Sequence, residues 1–440
     1  MSRGRIDAAA PEEGSIAALN HDGEGVVRGA KTVFVPGALP GERVRYARVR
    51  KHRAYDEAKL LQILEPAPDR VVPQCAHFGI CGGCALQHLA PEAQLAAKQR
   101  ELADNLLRIG KVTPARWLPP ITGPVWGYRR RARLGVKYVL KRGEVLVGFR
   151  ERGKPYIAAL ERCETLAPPV DALIAPLKEM IGTLAARDRI AQIEVAVADT
   201  ATVLVLRNLD PLGATDREIL ARFEAKHAVQ IHLQPGGHDT IHPLGETATP
   251  LRYALPAHDL QFEFRATDFV QVNAVTNARL VDLALDSLQL SAEDRVLDLF
   301  CGLGNFSLPI ARRVRAVVGI EGEAGLVARA RDNATRNGIE NAQFHVADLT
   351  QADGGAAALA GGFSRVLLDP PRTGALEVLP RVAALAAARL VYVSCHPGTL
   401  ARDLGVLCHQ LGYRLEAAGV IDMFPHTNHV ESIAVLERDR

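Results

Sequence analysis

The alternation of apolar and polar positions along the chain changes character twice. Over residues 1–64, short apolar runs recur at Ile16–Leu19, Val26–Val27, Thr32–Val35, Val44–Val49 and Lys59–Leu64, separated by His21-Asp22-Gly23, Pro36-Gly37 and Pro40-Gly41. Short strands punctuated by Gly and Pro turns predict a small β-barrel of the OB-like kind. Pro66 and Pro68 break the pattern and mark a boundary. Residues 65–265 are mixed. A helix with Gln94, Lys98 and Arg100 beside an apolar stripe is expected over Pro91–Arg108, and another over Ala214–Lys226. Strand-like runs fall at Ala132–Val139, Glu144–Phe149, Ile193–Ala198, Thr202–Leu206 and Gln230–Leu233, which together predict an α+β domain. From residue 266 onward the pattern becomes helix alternating with buried strand. A helix over Ala274–Leu290 precedes strands at Ala316–Ile320, Ala342–Val346 and Leu390–Ser394. Such alternation predicts a parallel α/β sheet over 266–440.

The last region carries the sharpest stretch, Arg295–Ile310, RVLDLFCGLGNFSLPI. An apolar strand holding Asp298 runs into Phe300, Cys301, Gly302, Leu303, Gly304 and Asn305, and then into a helical run. Glycines let a backbone approach a ligand closely and adopt dihedrals other residues avoid. A turn at the carboxyl end of a parallel strand is where open α/β sheets bind cofactors. The spacing G-x-G-N is neither the dinucleotide G-x-G-x-x-G nor a P-loop. The next strand ends in Glu321, an acid suited to a ribose diol, and the third leads to Asp348, within reach of an adenine amine. Together these features resemble the S-adenosylmethionine (SAM) methyltransferase fold, a Rossmann-like α/β domain.

Composition adds limits. The chain has 440 residues, long enough for two or three domains, and its formal charge of +3 says little about partners. No apolar run is long enough to span a membrane, and MSRGRIDAAAPEEG lacks the apolar core of an export signal. Seven cysteines, odd in number and clustered, argue against a disulfide framework and for metal or catalytic thiols in a cytoplasmic protein.

Charge is informative in its distribution. Arg43, Arg45, Arg48, Arg50, Lys51 and Arg53 follow one another without an acid, with Tyr46 and Tyr55 nearby. A strand presenting them on one face would track phosphates while the tyrosines stack on bases; the alternative is a solvated basic face. A second run, Tyr128-Arg129-Arg130-Arg131-Ala132-Arg133 with Lys137, Lys141 and Arg142, strengthens the expectation of RNA contact over that of a charged hairpin. The segment IAALNHDGEGVVR…KTVFVPGALPGERV resembles a TRAM domain, an RNA-binding module.

Cys75-x5-Cys81-Gly-Gly-Cys84 sets three thiols within ten residues, a spacing suited to a soft metal or an iron–sulfur cluster, with Cys163 as candidate fourth ligand. Zinc is the competing reading, but zinc sites usually pair two C-x2-C motifs and one is present.

In the catalytic half, VLLDPPRTG brings Asp369-Pro370-Pro371-Arg372 to the end of a buried strand. The next strand ends in Cys395-His396-Pro397, which puts a thiol in the row of the cofactor turn. A buried structural cysteine is the alternative, and Cys408, mid-helix, reads as one. His426-x2-His429-Val430-Glu431-Ser432 adds an acid near the C-terminus. The two histidines would suit a metal only with a third ligand.

The order LFCGLGNFSLP, DPPRTG, SCHP, HVES resembles the RNA (uracil-C5) methyltransferase family over nearly the whole chain. The TRAM-like module and the C-x5-CGGC…C set resemble its 23S ribosomal RNA branch. That resemblance implies three domains: TRAM over 1–64, a central domain with a [4Fe–4S] cluster on Cys75, Cys81, Cys84 and Cys163 over 65–265, and the SAM domain over 266–440. It implies SAM or target-base contacts at Gln271 (in DFVQVN), Phe300, Asn305, Glu321, Asp348 and Asp369, with Cys395 as nucleophile. The substrate would be 23S ribosomal RNA, by resemblance its uracil-1939 site, and the enzyme a monomer. His396 stands where the resemblance leads one to expect Asn.

The chemistry needs these residue types. Uracil C5 is too weak a nucleophile to take a methyl group unaided; thiolate addition to C6 creates an enolate that attacks through C5. A base must then remove the C5 proton, and Glu431 is the choice, with His429 next. Methylation of another RNA uridine, cytosine-C5 methylation, a non-catalytic iron–sulfur RNA-binding protein and a small-molecule methyltransferase are the alternatives. Retention of Cys395 and Glu431 speaks against the third and the basic runs against the fourth.

Overall fold

The structure, a computed structural model, describes residues 10–351 and 354–438. They divide into two compact units. One gathers the described residues up to Glu101 with Arg150–Ala158 and Phe424–Asn428; the other holds Leu102–Phe149, Ala159–Met423 and the described residues from His429.

The first unit contains a closed barrel of β1 (Glu12–Leu19), β2 (Gly25–Val27), β3 (Thr32–Val35), β4 (Arg43–Lys51) and β5 (Tyr55–Glu65), in the order β1-β2-β3-β5-β4. Alternation puts Ile16, Val27, Val33, Val35, Val44, Tyr46 and Ala58 in its core, so the arginines of β4 face outward. Closure removes the exposed edges that a five-stranded sheet would otherwise present. After the barrel come the cysteine loop and a helix, Pro91–Asn105. The helix stops short of the expected end at Arg108, because the chain continues as a π turn, Leu106–Gly110, closed by Lys111 at φ 53°.

The end of that helix and the π turn belong to the second unit, whose first strand is the two-residue β6 (Arg116–Trp117). β7 (Arg131–Val139), β8 (Glu144–Gly148), β9 (Ile190–Val197), β10 (Thr202–Asn208), β11 (Gln230–Leu233) and β12 (His242–Pro243) then form a sheet ordered β12-β11-β10-β9-β7-β8. A hairpin follows, β13 (Leu251–Leu255) with β14 (Leu260–Phe264), which the apolar pattern does not mark out.

The largest sheet has eight strands: β15 (Arg295–Leu299), β16 (Ala316–Glu321), β17 (Ala342–Val346), β18 (Arg365–Leu368), β19 (Arg389–Ser394), β20 (Tyr413–Ile421) and β21 (Glu431–Arg438), with β6 at its edge. Its order is β17-β16-β15-β18-β19-β21-β20-β6. β15 to β19 are parallel, and β21 runs antiparallel between β19 and β20. Parallel strands covered on both faces read as continuous apolar runs, and all six residues of β19 are buried. The chain order reverses between β15 and β18, so the loops after those two strands flank the crevice where open sheets bind ligands. Among the described residues no helix is long and apolar enough to cross a membrane.

Candidate active site

The turn after β15 is built on unusual backbone. Phe300 has φ 65°, Gly302 φ 55° and Gly304 φ 96°. The glycines adopt these values without a Cβ clash, whereas Phe300 is held there at a cost of about 1–2 kcal/mol. Its N–H and that of Cys301 both donate to the Ile320 carbonyl, at 2.8 and 3.1 Å. A Cβ on Gly302 would meet nothing within 4 Å, so that side of the turn has room for a ligand. Beneath it, buried Asp298 accepts a 2.5 Å hydrogen bond from the Ser307 hydroxyl and ties the strand to the helix beyond the turn. Burial pushes Asp298 up to about 7, against the opposing effect of Ser307.

The remaining strand ends complete one edge. Glu321 closes β16, and its carboxylate accepts from the Gly302 N–H at 3.1 Å and the Glu323 N–H at 3.0 Å, leaving further lone pairs for a diol. Asp369 follows β18, where its N–H donates to the Leu299 carbonyl at 3.2 Å. Burial, and then the charge of Glu321, push its carboxyl up to about 7. Cys395 follows β19. The last registered pair between β19 and β21 is Ser394 with Ser432, the residues directly before Cys395 and directly after Glu431, and the charge of Glu431 acts on the Cys395 thiol. Register thus brings together two residues far apart in sequence. Burial pushes the Cys395 thiol up to about 11, with the charges of Glu431 and Asp369 adding to it and Arg372 opposing.

His396 caps the helix Pro397–Gln410: its Nδ1 accepts from the Thr399 N–H at 3.2 Å. An Asn side chain is a common helix cap, so His at this position keeps the capping function. The sequence reading missed Asp403 in that helix. It is buried, and its carboxylate accepts from the Ala375 N–H at 2.8 Å and the Tyr392 hydroxyl at 2.6 Å. Thr399 Oγ1 also donates to the Arg372 carbonyl at 3.1 Å. The Asp-Pro-Pro-Arg loop is therefore pinned to the helix that begins beside the thiol.

Asn305 exchanges amide hydrogen bonds with Asn277 at 3.0 Å in both directions and accepts from the Tyr253 hydroxyl, also at 3.0 Å. Tyr253 and Asn277 line a cavity with Gln271 and Arg130, which joins Gln271 to the Asn305 cluster. Tyr253 comes from the unexpected hairpin and stacks on Phe262 at 4.8 Å. Asp348 is exposed two residues beyond β17 and accepts from the Thr350 N–H at 3.0 Å and hydroxyl at 2.7 Å. The Thr350 hydroxyl bond holds it below the usual carboxylate range.

The four candidate ligand cysteines offer suitable donor chemistry and are divided between the two units. Cys75, Cys81 and Cys84 are half-buried in one loop of the first unit, where the Gly83 N–H lies 3.3 Å from Cys81 Sγ. Cys163 is buried in the second unit, 3.4 Å from Thr165 Oγ1. Among the described residues, no group of three or more His, Cys, Asp or Glu side chains is disposed to hold a metal ion.

The basic runs differ from their sequence appearance. Arg43 pairs with Glu13 at 2.8 Å and Glu65 at 3.1 Å, Arg45 with Glu13 at 2.9 Å, and Arg48 with Glu12 at 2.7 Å and Asp56 at 2.5 Å. The acids come from β1 and β5, which neighbour β4 in the barrel though not in the sequence. In the second run, Arg130 pairs with Asp199 at 2.6 Å and Arg133 with Glu194 at 2.9 Å, while Arg131 donates to the Ala266 carbonyl. Exposed Lys51 closes β4, exposed Arg53 lies in the turn that leads to β5, and exposed Arg28 follows β2.

Comparison with known proteins adds independent information. Residues 246–439 match the family model described as tRNA (Uracil-5-)-methyltransferase, and residues 13–68 match the TRAM domain of tRNA (uracil(54)-C(5))-methyltransferase. The chain is 51% identical over 441 residues to a 23S rRNA (uracil(1939)-C(5))-methyltransferase RlmD of Xanthomonas oryzae pv. oryzae, covering 99% of both chains. It is 52% identical over 434 residues to the protein of the same name from Alkalilimnicola ehrlichii, covering 98% of this chain and 97% of that one. In fold it resembles the Pyrococcus abyssi tRNA (uracil-54, C5)-methyltransferase solved with S-adenosyl-L-homocysteine, with a TM-score of 0.74 at 24% identity, covering 97% of this chain and 100% of that one.

Proposed function

The chain belongs to the RNA (uracil-C5) methyltransferase family, and from that premise we propose that it methylates C5 of a uridine in 23S ribosomal RNA, the uracil-1939 site, through a covalent adduct on Cys395. The observation that carries this reading is the closeness of Cys395 and Glu431, which flank the Ser394–Ser432 pair at the edge of the sheet that also holds the glycine turn. SAM, when bound at that turn, supplies an electrophilic methyl group.

The protein's own residues do the rest. Cys395 loses its proton and forms a bond to C6 of a uracil drawn out of its stack. The electron pair displaced from the C5–C6 double bond passes into the enolate, and C5 takes the methyl. Glu431 removes the C5 proton, the double bond re-forms, and the thiolate leaves. Asp369, with its stiff prolines, holds the base; Gln271, Phe300, Asn305, Glu321 and Asp348 contribute to SAM and base binding. The thiol is protonated at neutral pH, because burial and neighbouring carboxylates raise it, so thiolate formation is coupled to substrate binding.

Cys75, Cys81, Cys84 and Cys163 hold a [4Fe–4S] cluster on this reading, supported by three thiols in one loop and by the amide facing Cys81 Sγ. Iron and sulfide in anaerobically purified protein test it; stoichiometric zinc without iron excludes it. The division into 1–64, 65–265 and 266–440, a cytoplasmic location and a monomeric state belong to the same proposal. RNA contact by the barrel is assigned to Arg28, Lys51 and Arg53 rather than to the paired arginines of β4. The decisive experiment maps 5-methyluridine in 23S ribosomal RNA with and without this protein. Loss of methylation at uracil-1939 alone is expected, and loss in tRNA instead would redirect the substrate.

A further inference from the structure

The hairpin of β13 and β14 precedes residue 266, yet it is anchored to the elements around the glycine turn. Two asparagines at the end of the helix Ala324–Arg336 clasp β14. Asn333 accepts from the Glu263 N–H at 2.8 Å and donates to the Glu263 carbonyl at 3.2 Å. Asn337, the residue after the helix, accepts from the Gln261 N–H at 2.9 Å and donates to the Gln261 carbonyl at 2.7 Å. Each amide satisfies both backbone groups of one residue, as a neighbouring strand would. Asn333, only 1% exposed, also donates to the Leu303 carbonyl inside the glycine turn at 3.4 Å. Hairpin, helix and turn are thereby tied to one another.

This anchoring delivers Tyr253. Its ring is fixed by the stack on Phe262, and its hydroxyl donates to Asn305 Oδ1, the residue directly after Gly304. Asn305 Oδ1 accepts a second hydrogen bond from Asn277 Nδ2, and Asn305 Nδ2 donates to Asn277 Oδ1. Asn277 is buried on the helix Ala274–Leu288. An amide NH2 has two donors, and Asn305 spends one of them on Asn277. Its other N–H has no partner among the described residues.

We propose that Tyr253 and Asn277 are positioning residues for the cofactor, holding the second Asn305 N–H ready for the carboxylate at the methionine end of SAM. With Glu321 assigned to the ribose diol and Asp348 to the adenine amine, that carboxylate is the anionic acceptor left for a donor at this turn. A donor held in place by three hydrogen bonds loses little freedom when the ligand arrives, so more of its interaction appears as affinity. Tyr253 acts through Asn305, and the hairpin belongs functionally to the cofactor site. The inference rests on the reading of SAM bound at the glycine turn.

The test is calorimetry on the full-length protein with two ligands. S-adenosyl-L-homocysteine carries the methionine-type end, and 5′-methylthioadenosine has the same adenosine and thioether without it. Tyr253→Phe keeps the ring stack and removes the donor. It should weaken S-adenosyl-L-homocysteine about five- to tenfold and leave 5′-methylthioadenosine within about twofold. Asn305→Ala should show the same selective loss, and the Tyr253→Phe, Asn305→Ala double variant should lose no more than Asn305→Ala alone, because the hydroxyl works through that amide. Asn277→Ala should repeat the selectivity and decides the matter if Tyr253→Phe does not fold. Unchanged affinity in the single variants, equal weakening of both ligands, or additive losses in the double variant overturn the proposal. If the native protein binds neither ligand, the reading of the SAM site falls and this inference falls with it.

Discussion

The barrel strand β4 and the carboxyl edge of the eight-stranded sheet both concentrate charge, and they dispose of it in opposite ways. Along β4, Arg43, Arg45 and Arg48 each meet carboxylates on a neighbouring strand. The pairs neutralise the strand and hold the barrel closed. At the sheet edge, Glu431 and Asp369 lie near the Cys395 thiol, and Glu321 and Asp298 lie near Asp369. Burial and mutual repulsion push the two aspartates up to about 7 and the thiol up to about 11. Unfavourable charge collected in one place is the mark of a site that must move protons, whereas balanced charge is the mark of structure. The comparison teaches that the number of charged residues in a run says less about function than where their counter-charges lie.

The comparison breaks most visibly at Cys395. Cys395→Ala should lower methyl transfer by about 10³-fold or more while SAM affinity, measured by calorimetry, stays unchanged. Retained activity would remove covalent catalysis from the account. Next in size is Arg48→Ala, which takes one cation from buried Asp56 and should cost about 1–3 kcal/mol of stability in a thermal melt, with little change in the salt slope of RNA binding. A large fall in the salt slope would return β4 to the role its sequence suggested.

A smaller effect concerns proton affinity. Alkylation of Cys395, followed by peptide mass spectrometry, should rise with pH toward about 11, because only the thiolate reacts. Glu431→Gln removes a negative charge that raises the thiol, so the midpoint should move down and alkylation below it should quicken. An upward shift would separate the two side chains. The smallest effect is at the barrel turn: Lys51→Ala and Arg53→Ala should each flatten the salt dependence of RNA binding by about one ion released, at constant SAM affinity.

What the sequence conveyed follows the same division. The turn after β15, the strands ending in Glu321 and Cys395, and the barrel were legible because each is a local signal: glycine spacing, an apolar run, a Gly/Pro turn. Tyr253, Asn277 and Asp403 were not, because their roles consist of partners 28 residues or more away, such as Asn305 for Tyr253 and Asn277 and Ala375 for Asp403. The pairing of β4 was hidden for the same reason, since Glu12, Glu13 and Asp56 lie outside the basic run and become its neighbours only when the barrel closes. The nearness of Glu431 to Cys395 is a matter of register between antiparallel strands, and β21 leaves no clear local signature.

The most direct test of the account is the fate of Glu431→Gln incubated with target RNA and methyl-labelled SAM. An amide cannot take the C5 proton, so attack and methyl transfer should proceed while elimination stops. The account predicts a labelled, slow-migrating complex on a denaturing gel, with methylated uracil joined to the Cys395 peptide and no complex in the Cys395→Ala, Glu431→Gln double variant. Normal turnover by Glu431→Gln, or a complex attached at another residue, would contradict it.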